Sequence, residues 1–327
     1  YFKDRVKINY PNINAEILHK CQEQFLQNLS RNLVYADFLK NSSPPEFVLD
    51  KGLASSSLLY PHDAIRTSHD LDIFIKTEDY NQWCHFLKEE NFYKYGNISD
   101  KFPDKIIQKY NFAQHFINEE KKLAIDLHLN ISNKMHPFQF EMEEFWNNLQ
   151  PLDYEGLALK TFANEYLIIY YLYHAFKHYY FKLVWFIDLY LLFKKRPYDE
   201  EKVLQLIKKY HLEKIFGLYL AISKEIFSDC GLRQNSYLAD HFSPLNHKTI
   251  NARTVLAGEF LSANTTNRLF LPTQYLPKPT QKIKYLWQQL FPPKEILPEF
   301  YNQSDKMSWI VYMLSRLKKI HRLEKFQ

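Results

Sequence analysis

The sequence predicts an α+β fold in which helices flank a small mixed β-sheet, followed by a mostly helical C-terminal lobe. Short runs of β-branched and aromatic residues, separated by polar turns, fill the region before residue 133. Apolar residues with helical spacing dominate from about residue 160 to the end. Hydrophobic residues make up 46% of the 327-residue chain, which supports a well-filled core, and only 6 glycines exclude a glycine-rich dinucleotide-binding loop.

The first part of the chain alternates helices with short strands. Apolar residues recur every three or four positions over residues 14–40, and the segment NSSPPE then ends this predicted helix. Two alternating runs on either side of the polar segment NEEK (118–121) predict a hairpin. The predicted strands are FVLDKG (47–52), DLDIFI (70–75), YNFAQHFI (110–117) and KLAIDLHLNIS (122–132), and the helices between them are LASSSLLYP (53–61) and TEDYNQWCHFLKEENF (77–92).

The C-terminal part is predicted to be helical and to end in a basic amphipathic helix over residues 306–326. One apolar block, residues 166–193, has the length of a membrane span. His174, Lys177 and Asp188 lie within this block, and charges at the depth of a bilayer are costly. The block therefore predicts a buried pair of amphipathic helices, with no membrane span.

Charge and cysteine content narrow the class of protein further. The formal net charge of +5 permits contact with phosphates but does not by itself indicate nucleic-acid binding. The three cysteines lie far apart and form no CxxC pair, so neither a zinc cluster nor a disulfide framework is predicted. A reducing, cytoplasmic location is the expectation.

Two aspartates stand one residue apart in the segment RTSHDLDIFI (66–75), where apolar neighbours otherwise indicate a buried strand. Side chains alternate between the faces of a strand, so Asp70 and Asp72 are predicted to share one face. Their like charges repel, and burial adds a desolvation cost. A divalent cation would compensate both carboxylates, and Mg²⁺ prefers carboxylate oxygens, water and substrate phosphates.

A third carboxylate on a neighbouring strand would complete a two-ion site. Asp126, in the apolar segment LAIDLHL (123–129), supplies a candidate, and His128 shares its face. The alternative is that these aspartates face solvent without a metal, because an isolated Asp-x-Asp is common.

The order of the segments FVLDKGLASSSLLYP, AIRTSHDLDIFI and LAIDLHLNI resembles the nucleotidyltransferases of the DNA polymerase β-like superfamily. It is most similar to a little-characterised bacterial branch that carries Lys-Gly, then Arg, then Asp-x-Asp, then Asp-x-His. The resemblance implies three domains: an N-terminal helical segment (1–45), a nucleotidyltransferase core (46–160) and a helical substrate-binding lobe (161–327).

The resemblance implies transfer of a nucleoside monophosphate from an NTP, with release of pyrophosphate. Asp70 and Asp72 would hold two Mg²⁺ or Mn²⁺ ions, and Asp126 would ligate one ion and help to deprotonate the acceptor hydroxyl. Family habit and cellular abundance favour ATP as the donor. The acceptor is a hydroxyl or phosphate of a small molecule, a peptide or a protein.

The same resemblance implies a set of residues that bind the nucleotide. Exposed amides at a helix start favour anions, glycine allows close approach of the triphosphate, and arginine can hold a phosphate with two hydrogen bonds. Hydroxyl groups add further donors, and a basic helical face would line a cleft between the two lobes. The set is Lys51, Gly52, Ser55, Arg66, Ser68, His174 and Lys177.

Two departures from the pattern of the branch open alternatives. His69 stands where a small residue is usual, and Asp50 stands where an apolar residue is usual and would pair with Lys51. One alternative is therefore a catalytically inactive nucleotide-binding or interaction module of the same fold. A second is an RNA-modifying nucleotidyltransferase, against which the modest charge argues.

Overall fold

The structure is a computed structural model that describes residues 15–95, 102–178, 182–234, 236–246, 250–256 and 265–296. It is an α+β protein, as the sequence predicts. The chain divides into two compact units, the sheet unit (1–95, 115–127 and 150–161) and the helical unit (96–114, 128–149 and 162–327). The domain boundaries after residues 45 and 160 stay a prediction.

The sheet unit contains the strands and the helices of the first part of the chain. Its helices are α1 (Ala15–Ser42), α2 (Lys51–Leu59) and α3 (Tyr80–Glu89). Its strands are β1 (Val48–Leu49), β2 (Leu71–Phe74), β3 (Tyr93–Lys94), β4 (Gln114–Asn118), β5 (Leu123–His128), β6 (Leu149–Tyr154) and β7 (Leu157–Phe162). One terminal residue of each of β4, β5, β6 and β7 is assigned to the helical unit.

Five of these strands form one sheet in the order β1-β2-β5-β4-β3. Strand β1 pairs antiparallel with β2, so that Leu49 faces Ile73, and β3 pairs antiparallel with β4. Strands β4 and β5 are neighbours, and the few residues between them can join only an antiparallel pair. The predicted hairpin is thereby confirmed, and β2 lies directly beside β5 in the sheet.

The core of the sheet unit forms where α3 covers the sheet. Trp83 is 1% exposed, its ring meets Phe47 edge to face at 5.8 Å, and its Nε1 donates to the Glu46 carbonyl at 3.2 Å. Burial of a ring of this size contributes about 2–3 kcal/mol. This packing fixes the chain just before β1, which leads into the site described below.

The helical unit begins with α4 (Asp104–Tyr110) and α5 (Met142–Trp146). The apolar block at 166–193 spans two buried helices, α6 (Asn164–Lys177) and α7 (Leu183–Lys195), which pack together, so the predicted helix pair is confirmed. The remaining helices are α8 (Glu200–Lys209), α9 (Glu213–Phe227), α10 (Tyr237–His241), α11 (Ala252–Leu256), α12 (Thr265–Tyr275) and α13 (Pro279–Leu290).

Several details differ from the sequence prediction. The strands expected at 47–52 and 110–117 are shorter, because Lys51 and Gly52 open α2 and Tyr110 ends α4. Strand β2 begins at Leu71, so Asp70 precedes the strand instead of lying within it. The helix expected from Thr77 starts as a single 3₁₀ turn and becomes α-helical at Tyr80. Strands β6 and β7 form a separate two-stranded sheet that the sequence analysis did not assign.

The basic helix predicted at 306–326 lies outside the described residues. Across the described ranges, none of the helices is both long enough and apolar enough to cross a membrane.

Candidate active site

In the turn from β1 into α2, the backbone packs closely against the segment that precedes β2. Lys51 and Gly52 both have positive φ, at 39° and 25°. A Cβ added to Gly52 would lie 2.4 Å from the Ser68 Oγ, so a side chain at this position has no room. Glycine is required here because it tolerates positive φ and permits the close approach.

A buried ion pair links this turn to β2. The Asp50 amide donates to the Asp72 carbonyl at 3.1 Å, which continues the antiparallel register and brings the next residue beside Asp72. The Lys51 Nζ lies 2.6 Å from the Asp72 Oδ1, and both side chains are about nine-tenths buried. Because removing one partner leaves an uncompensated buried charge, such a pair is costly to break.

The charge of Lys51 is set by its acidic surroundings. Burial lowers the pKa of the ammonium group, but Asp72 and then Asp50 and Asp126 raise it, and the net result is a pKa above the ordinary value. Lys51 is therefore a buried cation at neutral pH. Asp50 is fully buried and acts on Lys51 through its charge, while the direct ion pair is with Asp72.

Strand β5 adds a second carboxylate and an imidazole. Side chains two residues apart share one face of a strand, so Asp126 and His128 project together. Asp72, Asp126 and His128 each offer one ligand atom, and these atoms all lie within 4.8 Å of one another. The His115 Nδ1 on β4 contacts the Asp126 carboxylate directly.

This set of donors fits a divalent cation. Two carboxylates and an imidazole from adjacent strands converge, and a buried pair of carboxylates needs positive charge close by. Carboxylates suit Mg²⁺ and Mn²⁺, and imidazole suits later transition metals. Lys51 supplies part of the compensating charge from the protein itself, and the His115 imidazole contacts the Asp126 carboxylate.

Asp70 lies apart from this donor group. It is half-buried, precedes β2, and does not belong to the set of described side chains that meet within 4.8 Å. The charges of Asp70 and Asp126 both raise the pKa of the Tyr35 hydroxyl, after the larger effect of burial, so both carboxylates lie near that hydroxyl. Metal ligation by Asp70 stays a prediction.

One face of α1 forms hydrogen bonds with the backbone that precedes Asp70 and with the backbone that precedes Asp126. The Asn28 Nδ2 donates to the Ala64 carbonyl at 3.0 Å, and the Arg31 Nη1 donates to the Ser68 carbonyl at 2.6 Å. The Tyr35 hydroxyl lies 3.2 Å from the His69 carbonyl and 3.0 Å from the Ala124 carbonyl, and its single proton is shared between these two acceptors. These residues stand three and four positions apart, which places them on one side of the helix.

Sequence reasoning missed this polar face of α1. It also assigned no role to His115, which contacts Asp126. The available signal was the spacing of Asn28, Arg31 and Tyr35 within an otherwise amphipathic helix.

The predicted phosphate-binding residues of the sheet unit lie on α2 and on the segment before β2. Ser55 and Arg66 are buried, and the Arg66 Nη1 donates to the Thr67 carbonyl at 3.2 Å. The Ser68 hydroxyl donates to the Asp70 carbonyl at 2.9 Å. His69 is exposed. The structure brings Lys51, Gly52 and Ser68 together around one turn, and their phosphate contacts stay a prediction.

His174 and Lys177 lie on α6 of the helical unit. The His174 ring meets Trp185 at 4.8 Å and His178 at 4.6 Å, and its side chain is buried. Lys177 is half-buried. Within the helical unit these residues form an aromatic and basic cluster, and their contact with a nucleotide stays a prediction.

The sheet with its converging carboxylates is an arrangement suited to handling a charged phosphate substrate. The family model described as "Uncharacterised nucleotidyltransferase" matches residues 12–228, which is more than half of the chain. The chain belongs to this family and is a nucleotidyltransferase, an enzyme that transfers a phosphorus-containing group. No curated protein and no solved structure matches it.

Proposed function

We propose that the protein transfers a nucleoside monophosphate, with AMP from ATP as the favoured case, onto a hydroxyl or phosphate of a small molecule, peptide or protein. The observation that carries this proposal is the convergence of ligand atoms from Asp72, Asp126 and His128 within 4.8 Å. Mg²⁺ or Mn²⁺ is the proposed cofactor, because the donor set is rich in carboxylate oxygen. The NTP is the substrate that membership of the family implies.

In the proposed reaction, an acceptor oxygen forms a bond to the α-phosphorus of the NTP. The bond from that phosphorus to the bridging oxygen breaks, and pyrophosphate leaves with the electron pair. A bound divalent cation supplies charge neutralisation at the phosphates and at the attacking oxygen. Asp72 and Asp126 would hold it, with His128 or Asp70 completing the set.

The other side chains have defined tasks in this proposal. Asp126 accepts the proton of an acceptor hydroxyl, and His115 orients its carboxylate through their direct contact. Lys51 keeps the site cationic beside Asp72. The amide of Gly52, with Ser55, Arg66 and Ser68, binds the triphosphate oxygens, and His174 and Lys177 provide additional basic contacts.

The experiment uses the four α-labelled NTPs with Mg²⁺ or Mn²⁺ and host extract, followed by mass analysis of the labelled product. Wild-type protein should release pyrophosphate and label an acceptor. Asp72→Asn and Asp126→Asn should each lower the rate by at least about a hundredfold. Asp37→Asn is the matched control, because this exposed aspartate of α1 bonds Asn41 alone among the described residues and should leave the rate unchanged. Equal rates in all four proteins would refute the assignment.

A second candidate is a nucleotide-binding module without turnover. The observation that favours it is that the Lys51 ammonium group and the His115 imidazole already contact the two carboxylates, so that both carboxylates have protein partners without a cation. This candidate predicts saturable ATP binding by calorimetry with no pyrophosphate release. Pyrophosphate release that is lost in Asp72→Asn excludes it.

A further inference from the structure

A basic cavity of about 260 Å³ lies within the helical unit. Its wall comes from three places: the segment 134–139, the C-terminal end of α8, and α13 with the residues before it. Three lysines and two histidines line it, and none of the lining residues is acidic. A concave surface of one charge sign concentrates ions of the opposite sign.

Two of the three lysines carry uncompensated charge. The Lys209 Nζ is held by Glu141 at 2.7 Å and Glu144 at 2.9 Å, so its charge is offset. Lys134 and Lys284 come from different walls, are exposed, and pair with no carboxylate among the residues that the structure describes. The cavity therefore presents two free ammonium groups to a ligand.

His136 also lines the cavity. Its Nδ1 lies 2.7 Å from the Tyr173 hydroxyl. Burial, and then the charges of Lys177 and His178, hold its pKa well below the ordinary value, so the imidazole is neutral. The histidine therefore adds no charge of its own, and the preference of the cavity for an anion follows from its lysines.

Aromatic side chains from the same three places also line the cavity. Phe138, Tyr210 and Tyr285 line the cavity, and each is less than 7% exposed. Flat apolar walls favour a flat apolar group in the ligand. A cavity of about 260 Å³ lies at the small end of the range for ligand pockets, which suits a small ligand of one ring with one anionic group.

We propose that this cavity binds a small anion that joins a flat apolar ring to a phosphate or carboxylate group. Lys134 and Lys284 bind the anionic group, and Phe138, Tyr210 and Tyr285 contact the ring. The site stands on residues of the helical unit alone and is independent of the proposed nucleotidyl transfer.

The test is isothermal titration calorimetry of the full chain with phenyl phosphate and benzoate, and with inorganic phosphate and phenol as the separate parts. At least one of the two ring-bearing anions should bind at least ten times more tightly than either part, and its affinity should fall as salt is added. In the double variant Lys134→Gln/Lys284→Gln that affinity should fall at least tenfold, without loss of thermal stability, because both side chains are exposed.

The matched control is Lys282→Gln, two residues before Lys284 on α13 but not part of the cavity lining. It should bind the probe as wild type does. Asp72→Asn should also keep full binding, which separates this site from the proposed active site. Failure of both ring-bearing anions to bind saturably, or equal affinity in the double variant and wild type, would overturn the proposal.

Discussion

The hydroxyl of Tyr35 connects the two strands that carry the candidate ligands. Its single proton is shared between the carbonyl of His69, just before Asp70, and that of Ala124, on β5 two residues before Asp126. It also accepts from the Ala124 amide at 3.3 Å. Burial raises the pKa of Tyr35 far above the working range, so the hydroxyl keeps its proton. We predict that Tyr35→Phe changes catalysis as well as stability.

The magnitude follows from the lost hydrogen bonds. Tyr35 is 0% exposed, so Tyr35→Phe leaves the carbonyl and the amide of Ala124 facing a ring edge that cannot form a hydrogen bond. Leaving a buried acceptor unsatisfied costs about 1–3 kcal/mol, so we expect a loss of about 2 kcal/mol in the free energy of unfolding. A displacement of about 1 Å at a reacting group can cost about a hundredfold in rate, so kcat should fall between about tenfold and a hundredfold.

The assay combines urea unfolding with pyrophosphate release, and Tyr154→Phe is the matched control. The Tyr154 hydroxyl is also buried and protonated, and it donates to the Asn32 carbonyl of α1 at 3.0 Å instead of to backbone beside Asp70 or Asp126. The Tyr154→Phe protein should lose a similar amount of stability and keep the wild-type kcat. A Tyr35→Phe protein with unchanged kcat, or a Tyr154→Phe protein with an equal loss of kcat, would refute the reasoning.

Two further predictions test the turn at Gly52 and an acidic group of the helical unit. Gly52→Ala should cost about 2–4 kcal/mol of thermal stability and most activity, because its Cβ would meet the Ser68 Oγ at 2.4 Å. Gly156→Ala, at φ +77° in open space, should cost about 1 kcal/mol and no activity, and equal costs would contradict the close approach. Burial raises the pKa of Glu144, but hydrogen bonds from Lys209 and Tyr210 lower it by more, so the pKa lies below its ordinary value. Its carboxylate therefore stabilises the fold at pH values above the unfolded pKa of about 4.3. This stabilisation is lost as the pH falls through the lower pKa of the folded state. Glu144→Gln should be less stable by about 1 kcal/mol at pH 7 and equal to wild type in acid, as chemical unfolding at each pH would show; a difference independent of pH would contradict this.

Local patterns predicted the hairpin of β4 and β5 and the pair α6 and α7, because alternation and helical spacing are properties of a short segment. The convergence of Asp72 and Asp126 depended on two strands becoming neighbours, which the order of motifs suggested and the sheet order confirms. The meeting of His115 with Asp126 depended on the register of a hairpin, which local patterns do not fix.

The spacing of its polar residues marks one face of α1, but the partners of that face were not predictable from the helix alone. Asn28, Arg31 and Tyr35 contact segments more than thirty residues away in sequence, and a polar helix face ordinarily faces solvent. Strands β6 and β7 were missed for a different reason. Their residues have mixed exposure without a strong apolar alternation, so the periodic signal is weak.

The sheet unit is assembled from three separate stretches of chain, the last of which ends at Thr161. A ribosome must therefore release residues of the helical unit before the sheet unit has all of its parts. Pairings between distant stretches close large loops and fold slowly, so nascent chains cut short before Gln150 should be sensitive to proteases and dependent on chaperones. Expression trials of the catalytic part alone should keep residues through Thr161 in one piece, with the intervening helical stretches left in place.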